Sequence, residues 1–173
     1  DPGNPEAHLR YASFVRATQG RRAAVEYLTQ QTENEGLRPE MLRALIELHD
    51  QAGLIAERDK ALKTLEAEFP LHPASLQARG QIALAAGDPR ASVRALRQLV
   101  SHKDSGKAQR LLAYAEFAEK NYDESLRAIA RAIEIDPAQE HALRRLRAHA
   151  AYEARDCDQA VSNFATLLSQ ESL

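Results

Sequence analysis

Residues Leu111–Pro137 read LLAYAEFAEKNYDESLRAIARAIEIDP and contain two amphipathic runs in succession. Apolar residues recur at helical spacing in each run. The first run ends near Lys120–Asn121, and the second closes at Asp136–Pro137. Small residues occur in both runs, with Ala113 in the first and Ser125 in the second. The stretch therefore predicts two helices joined by a tight turn and packed closely through their small residues.

The same pattern recurs along the whole chain and predicts five helix–turn–helix repeats. The repeats start near Pro5, Pro39, Pro73, Gly106 and His141. Successive starts differ by 34, 34, 33 and 35 residues. Proline suits the first turn of a helix, where its missing N–H is not needed. We expect ten helices, no β-structure, and repeats near residues 5–38, 39–72, 73–105, 106–140 and 141–173.

These repeats resemble the tetratricopeptide repeat (TPR), a helical unit about 34 residues long. The resemblance implies an all-α fold, a right-handed superhelical α-solenoid, with residues 1–173 as one array. It also implies that the first helix of each repeat lines a concave groove and the second forms the outer wall. Ala12 with Ala24, and Gly80 with Ser92, take the two small positions of their repeats.

The second repeat departs from this pattern. Ile46 and Arg58 stand where the other repeats carry Gly, Ala or Ser. A bulky pair should spread the two helices. Either the packing angle differs, or Arg58 reaches past the helix contact to Asp50 or Glu47. The sequence leaves both alternatives open.

Composition excludes several classes of protein. The chain has 173 residues, of which 44% are hydrophobic, and a formal net charge of −2. That charge gives no electrostatic support to a nucleic-acid partner. No apolar run approaches the roughly 20 residues needed to cross a bilayer, so we expect no direct membrane insertion. The single cysteine, Cys157, excludes an internal disulfide framework.

The two ends of the sequence indicate a segment of a longer array. Asp1-Pro2 resembles the end of a preceding repeat, as Asp136-Pro137 does, and the C-terminus ends in a helical pattern without a cap. We therefore expect Leu167 and Leu168 to be partly exposed, and we expect self-association through exposed array ends. Nothing in the sequence fixes the compartment.

Residues of catalytic type do not form a recognisable constellation. The six histidines show no HxxxH or HExxH spacing, so we expect no metal and no cofactor. The basic run Arg144–Arg147 is interpreted as a solvated helical face, apart from Arg145, which the repeat register assigns to the groove. The sequence therefore predicts a protein that is not an enzyme.

The resemblance also indicates which residues line the groove, because the family binds extended or helical peptides with the first helix of each repeat. Transferred position by position, the predicted groove residues are Arg43, Glu47, Gln77, Gln81, Arg110, Tyr114, Phe117, Arg145, His149 and Tyr152. The fourth and fifth repeats each carry an arginine followed by an aromatic residue. Arginine and tyrosine often carry the binding energy of interfaces. We therefore expect a protein or peptide partner with acidic and apolar residues across these two repeats.

Three functional hypotheses follow from the resemblance. The first is a free-standing, non-catalytic scaffold for protein binding. The second is the periplasmic TPR part of a bacterial exopolysaccharide export system, which the Ala- and Arg-rich style resembles. The third is the docking arm of a larger transferase. The Lys/Asn/Arg clamp of chaperone-binding members is absent, since Glu47 and Gln77 stand at matching places.

Overall fold

The computed structural model describes residues 3–171, and the side chains of residues 3–168. The regular secondary structure of this part of the chain is all α-helix, without a strand. Its ten helices are α1 Pro5–Gln19, α2 Arg21–Gln31, α3 Arg38–Asp50, α4 Ile55–Glu68, α5 Pro73–Ala85, α6 Pro89–His102, α7 Gly106–Ala118, α8 Tyr122–Ile135, α9 Gln139–Glu153 and α10 Cys157–Glu171. The predicted fold class and the predicted number of helices are confirmed.

Consecutive helices pair as the repeat pattern predicts. Contacts join α1 to α2, α3 to α4, α7 to α8 and α9 to α10. The chain divides into two compact units between Ala78 and Arg79. The first unit has a core of buried residues from α1, α2 and α3, including Val15, Leu28 and Met41. Within the described residues, none of the helices combines the length and the apolar character that a membrane crossing requires.

Small residues mark the closest approach of paired helices in the second unit. The Ser92 hydroxyl donates a hydrogen bond to the Gly80 carbonyl over 2.7 Å. Ser125 does the same to the Ala113 carbonyl over 2.9 Å. A side-chain hydroxyl reaches the backbone of the facing helix only where the two helices lie very close. The predicted small positions of these repeats are therefore confirmed.

The turn inside each of the last four repeats uses a left-handed backbone position. Gly53 and Gly87 have φ values of +68° and +78°, and Lys120 and Arg155 follow at +67° and +62°. The successive spacings are 34, 33 and 35 residues, so these four residues are equivalent. Glycine adopts this conformation without steric cost, whereas a residue with a Cβ does not. The last two repeats therefore keep the turn despite an unfavourable residue.

The second repeat accommodates its bulky pair through Arg58. The Arg58 guanidinium donates to Asp50 over 2.8 Å and to Asp59 over 2.7 Å. These hydrogen bonds raise the pKa of Arg58 above its ordinary value, with Asp50 the larger cause. Ile46 is buried in the same repeat. Of the two alternatives, the one in which Arg58 reaches past the helix contact to Asp50 is confirmed.

The last helix exposes apolar residues, as predicted. Leu168 is 67% exposed, and Leu167 is half-buried. Self-association through this end of the array stays a prediction.

Asp104 joins the start of α7 to α8 through hydrogen bonds. This contact should make the free energy of unfolding depend on pH. Its carboxylate accepts from Gln109 over 2.8 Å and from Arg131 over 2.8 Å. The hydrogen bond from Gln109, followed by that from Arg131, lowers the pKa of Asp104. A carboxyl group with a lowered folded-state pKa stabilises the protein above its unfolded-state pKa. The stabilisation is lost as the pH falls through the folded-state pKa.

We therefore expect Asp104→Asn to lower the melting temperature at neutral pH, and the difference from the native chain to shrink as the pH falls below the ordinary pKa of an aspartate, about 3.9. Thermal denaturation followed by circular dichroism across this range measures the difference. A difference that stays constant with pH would show that the charge of Asp104 is unimportant.

Candidate functional site

The predicted groove residues of the second and third repeats are engaged within the chain. Arg43 is 7% exposed, and its guanidinium donates to Glu40 over 3.0 Å and to Glu47 over 3.4 Å. Gln77 and Gln81 are half-buried on α5, and both have interactions within the chain. Arg43 therefore does not belong to the binding face proposed below, because its guanidinium already donates hydrogen bonds to two carboxylates of α3.

Three predicted groove residues follow one another along α7. Arg110, Tyr114 and Phe117 lie four and three residues apart, so they share one side of the helix. Tyr114 is 39% exposed, whereas Arg110 and Phe117 are half-buried. The Phe117 ring packs edge-on against Tyr122, with centroids 5.5 Å apart. Phe117 therefore takes part in the packing of α7 on α8, which leaves Arg110 and Tyr114 as the accessible pair.

The equivalent residues of α9 are more exposed. Tyr152 is 65% exposed, and Arg145 and His149 are exposed as well. The His149 ring meets Phe164 of α10 edge-on, with centroids 5.4 Å apart. One side of His149 is thus covered by α10, whereas Tyr152 is mostly exposed and Arg145 is exposed but has an interaction within the chain.

The two helices lie next to each other, as repeat stacking predicts. Contacts join α7 to α9, and the Tyr114 hydroxyl points to the Ala142 carbonyl of α9 at 3.4 Å. The accessible residues of both helices thus belong to neighbouring elements of the second unit. We call Arg110, Tyr114, Arg145 and Tyr152 the α7/α9 face.

The chemistry of the α7/α9 face suits binding rather than catalysis. It combines two guanidinium groups, which donate hydrogen bonds in a planar fork, with two phenol rings. Among the residues that the structure describes, no group of three His, Cys, Asp or Glu side chains could hold a metal ion. The thiol of Cys157 is exposed and free.

Sequence reasoning missed a second polar site on another side of α9. Arg147 and Asn163 line a cleft between α8 and α10. The sequence interpretation assigned the basic run around Arg147 to a solvated face. A comparison of the fourth and fifth repeats at an offset of 35 residues would have indicated this site, since Leu112 and Ala128 stand at the equivalent positions.

Comparison with protein families finds a match over the middle of the chain. A profile described as "Tetratricopeptide repeat" matches residues 77–140, which include α6, α7 and α8. No curated protein sequence matches the chain.

Several solved structures share the fold at low sequence identity. MamA from Desulfovibrio magneticus RS-1 superposes with a TM-score of 0.70 and 16% identity, covering 97% of this chain and 95% of MamA. A chain of the APC/C hetero-tetramer Cut9–Hcn1 superposes with a TM-score of 0.76 and 18% sequence identity. The match covers 98% of this chain and 34% of that one. A tetratricopeptide repeat protein from Parabacteroides merdae ATCC 43184 superposes with a TM-score of 0.65 and 18% sequence identity. The match covers 98% of this chain and 66% of that one. At these identities the likeness establishes the fold alone.

Proposed function

We propose that this chain, which matches a tetratricopeptide-repeat profile over residues 77–140, is a non-catalytic module that binds a protein partner through the α7/α9 face. The partner contributes a peptide segment that carries both acidic and apolar residues. The observation that carries the proposal is the placement of an arginine and an exposed tyrosine on each of two neighbouring helices.

The arginines account for the acidic part of the segment. Arg110 and Arg145 each carry a guanidinium group, which can hold a carboxylate through two parallel hydrogen bonds. Such charge-assisted bonds are roughly twice as strong as those between neutral groups.

The tyrosines account for the apolar part. Tyr114 and Tyr152 each present a large apolar ring with a polar tip. Tyrosine and arginine are enriched among residues that dominate binding energies. Ordering an extended segment typically costs about 2–5 kcal/mol of the gross interaction energy, so we expect modest affinity.

The comparisons add support of a more general kind. One structure with the same fold belongs to a hetero-tetramer, in which a repeat chain is assembled with a different protein.

Selection from a displayed peptide library, followed by fluorescence anisotropy with the tightest binder, tests the proposal. We expect the selected peptides to be enriched in Asp or Glu next to apolar residues. The double change Arg110→Ala, Tyr114→Ala should weaken binding at least tenfold, about 1.4 kcal/mol. The melting temperature should stay nearly unchanged, because Tyr114 makes only one long hydrogen bond across the helices.

Arg94→Ala is the matched control, because Arg94 is an exposed arginine on α6, outside the α7/α9 face. It should leave the affinity unchanged. Equal binding by the double variant and this control would contradict the proposal. A double variant that unfolds would show that Arg110 and Tyr114 belong to the core.

A further inference from the structure

A cleft of about 500 Å³ separates α8 from α10, with α9 beneath it. Its volume falls in the range of small-ligand sites. Apolar and polar groups both line it: Leu126, Arg127, Ala130, Arg147, Gln159 and Asn163. The cleft is separate from the α7/α9 face, because Arg147 lies on a different side of α9 from Arg145 and His149.

Two of the lining residues carry buried hydrogen-bond donors without partners. Asn163 is 6% exposed, and its Nδ2 atom has no hydrogen-bond partner. The Nε atom of Arg147 is buried and has none either. The Arg147 guanidinium makes one long ion pair by another of its nitrogens, with Nη2 lying 4.0 Å from Glu140 Oε1. Buried polar groups are almost always hydrogen-bonded, so two orphaned donors in one cleft require an explanation.

The preceding repeat shows that these donors are not needed for packing. At an offset of 35 residues, Arg147 corresponds to Leu112 and Asn163 corresponds to Ala128. Both counterparts are buried apolar residues. The fifth repeat thus carries donors where the fourth repeat has ordinary core residues. Functional sites often contain residues that make the folded state less stable than the alternatives would.

We propose that this cleft binds the carboxylate of an acidic side chain in a partner peptide. Both unpaired atoms of the cleft residues, Arg147 Nε and Asn163 Nδ2, are donors, and a carboxylate supplies only acceptors. Arg127 stands at the rim, where one nitrogen already donates to Glu124 over 3.1 Å and the others are available. Leu126 and Ala130 provide an apolar wall for the methylene groups and the neighbouring residue of the peptide. A peptide is favoured over a free ion because a simple anion would leave this wall unused.

Titration with N-acetyl-Leu-Glu-Leu-amide tests the proposal, with the side-chain amide resonances of Asn163 as the readout by NMR. The peptide should shift these resonances in a saturable way. The counterpart with Gln in place of Glu should bind at least tenfold more weakly, and inorganic phosphate should not compete at equal concentration. Absence of a saturable shift, equal binding of the Gln peptide, or equal competition by phosphate would each overturn the proposal.

The residues of the fourth repeat supply the variants. Arg147→Leu should weaken peptide binding at least tenfold by the Asn163 resonances. Asn163→Ala lacks that amide, so its binding is followed by fluorescence anisotropy of the labelled peptide, and it should also be at least tenfold weaker. Both should melt at the same temperature as the native chain or higher, because each removes an unpaired buried donor. Arg147→Gln tests the charge if the leucine variant fails to fold, and should weaken binding to the same degree.

The double variant of the α7/α9 face separates this site from the proposed function. Arg110→Ala, Tyr114→Ala should leave the peptide-induced shift of Asn163 unchanged. A shift of the Asn163 amide resonances that survives in Arg147→Gln but disappears in the α7/α9 variant would overturn the cleft site. A clear loss of thermal stability in Asn163→Ala would also overturn it, since the amide would then be a paired structural group.

Discussion

Gly80→Leu is expected to lower the free energy of unfolding by about 1–3 kcal/mol, through overpacking between α5 and α6. A Cβ atom at Gly80 would already lie 2.6 Å from Leu96 Cγ, closer than carbon atoms can approach. Leu96 is 1% exposed, so its side chain has no solvent into which it can turn. The helices must therefore separate, and the hydrogen bond from Ser92 to the Gly80 carbonyl would lengthen.

Urea denaturation followed by circular dichroism measures this loss. Ala85→Leu is the matched control, because Ala85 lies on the same helix but is exposed. It should change stability by no more than about 0.5 kcal/mol, as surface substitutions usually do. Equal midpoints for the two variants would show that α5 and α6 do not touch at Gly80.

Arg97→Ala should have the second large effect, on the order of 1–3 kcal/mol, by leaving a buried carboxylate underpaired. Glu116 of α7 is 1% exposed and accepts from Arg97 Nε over 2.7 Å and from Asn121 Nδ2 over 2.8 Å. These bonds join α6, α7 and the residue that precedes α8. The Arg97 side chain is itself 56% exposed, so water can partly replace it and the expected loss stays below that of a fully buried pair.

Arg127→Ala is the control, since its ion pair with Glu124 is exposed on both sides. Such pairs contribute roughly 0–1 kcal/mol. Adding Glu116→Leu to Arg97→Ala should recover part of the loss, because no buried charge then remains. The role of Glu116 as a buried, paired charge would be refuted if Arg97→Ala and Arg127→Ala were equally stable.

Most of the fold could be predicted because its determinants are local. Helical spacing, the turn chemistry of Gly87-Asp88-Pro89 and the repeat period are all properties of adjacent residues. In the structure Asp88 caps α6 by accepting from the Ala91 N–H over 2.9 Å, with Pro89 at the first helical position. The repetition supplied the remaining evidence for the fold. Each helix–turn–helix pattern is weak by itself, but five patterns at nearly the same period reinforce each other.

The candidate site could be predicted only in part. The register assigned Arg110 and Tyr114 to one side of α7, and α9 does lie beside them. The same register gave Arg43 an equivalent role, although its guanidinium is buried between Glu40 and Glu47. Register fixes the direction in which a side chain leaves its helix, but the charged neighbours decide whether it stays accessible.

The sequence by itself determined the helices, their pairing and the small residues at which paired helices meet, because these depend on spacing along one chain. Only the tertiary structure decided how far each polar side chain is buried and whether it finds a partner. Glu116 pairs with Arg97 and Asn121, whereas the Asn163 amide nitrogen stays unpaired. The physical reason is that a hydrogen bond between helices requires two atoms to meet within about 3 Å. Helix packing sets that distance, and residue order does not.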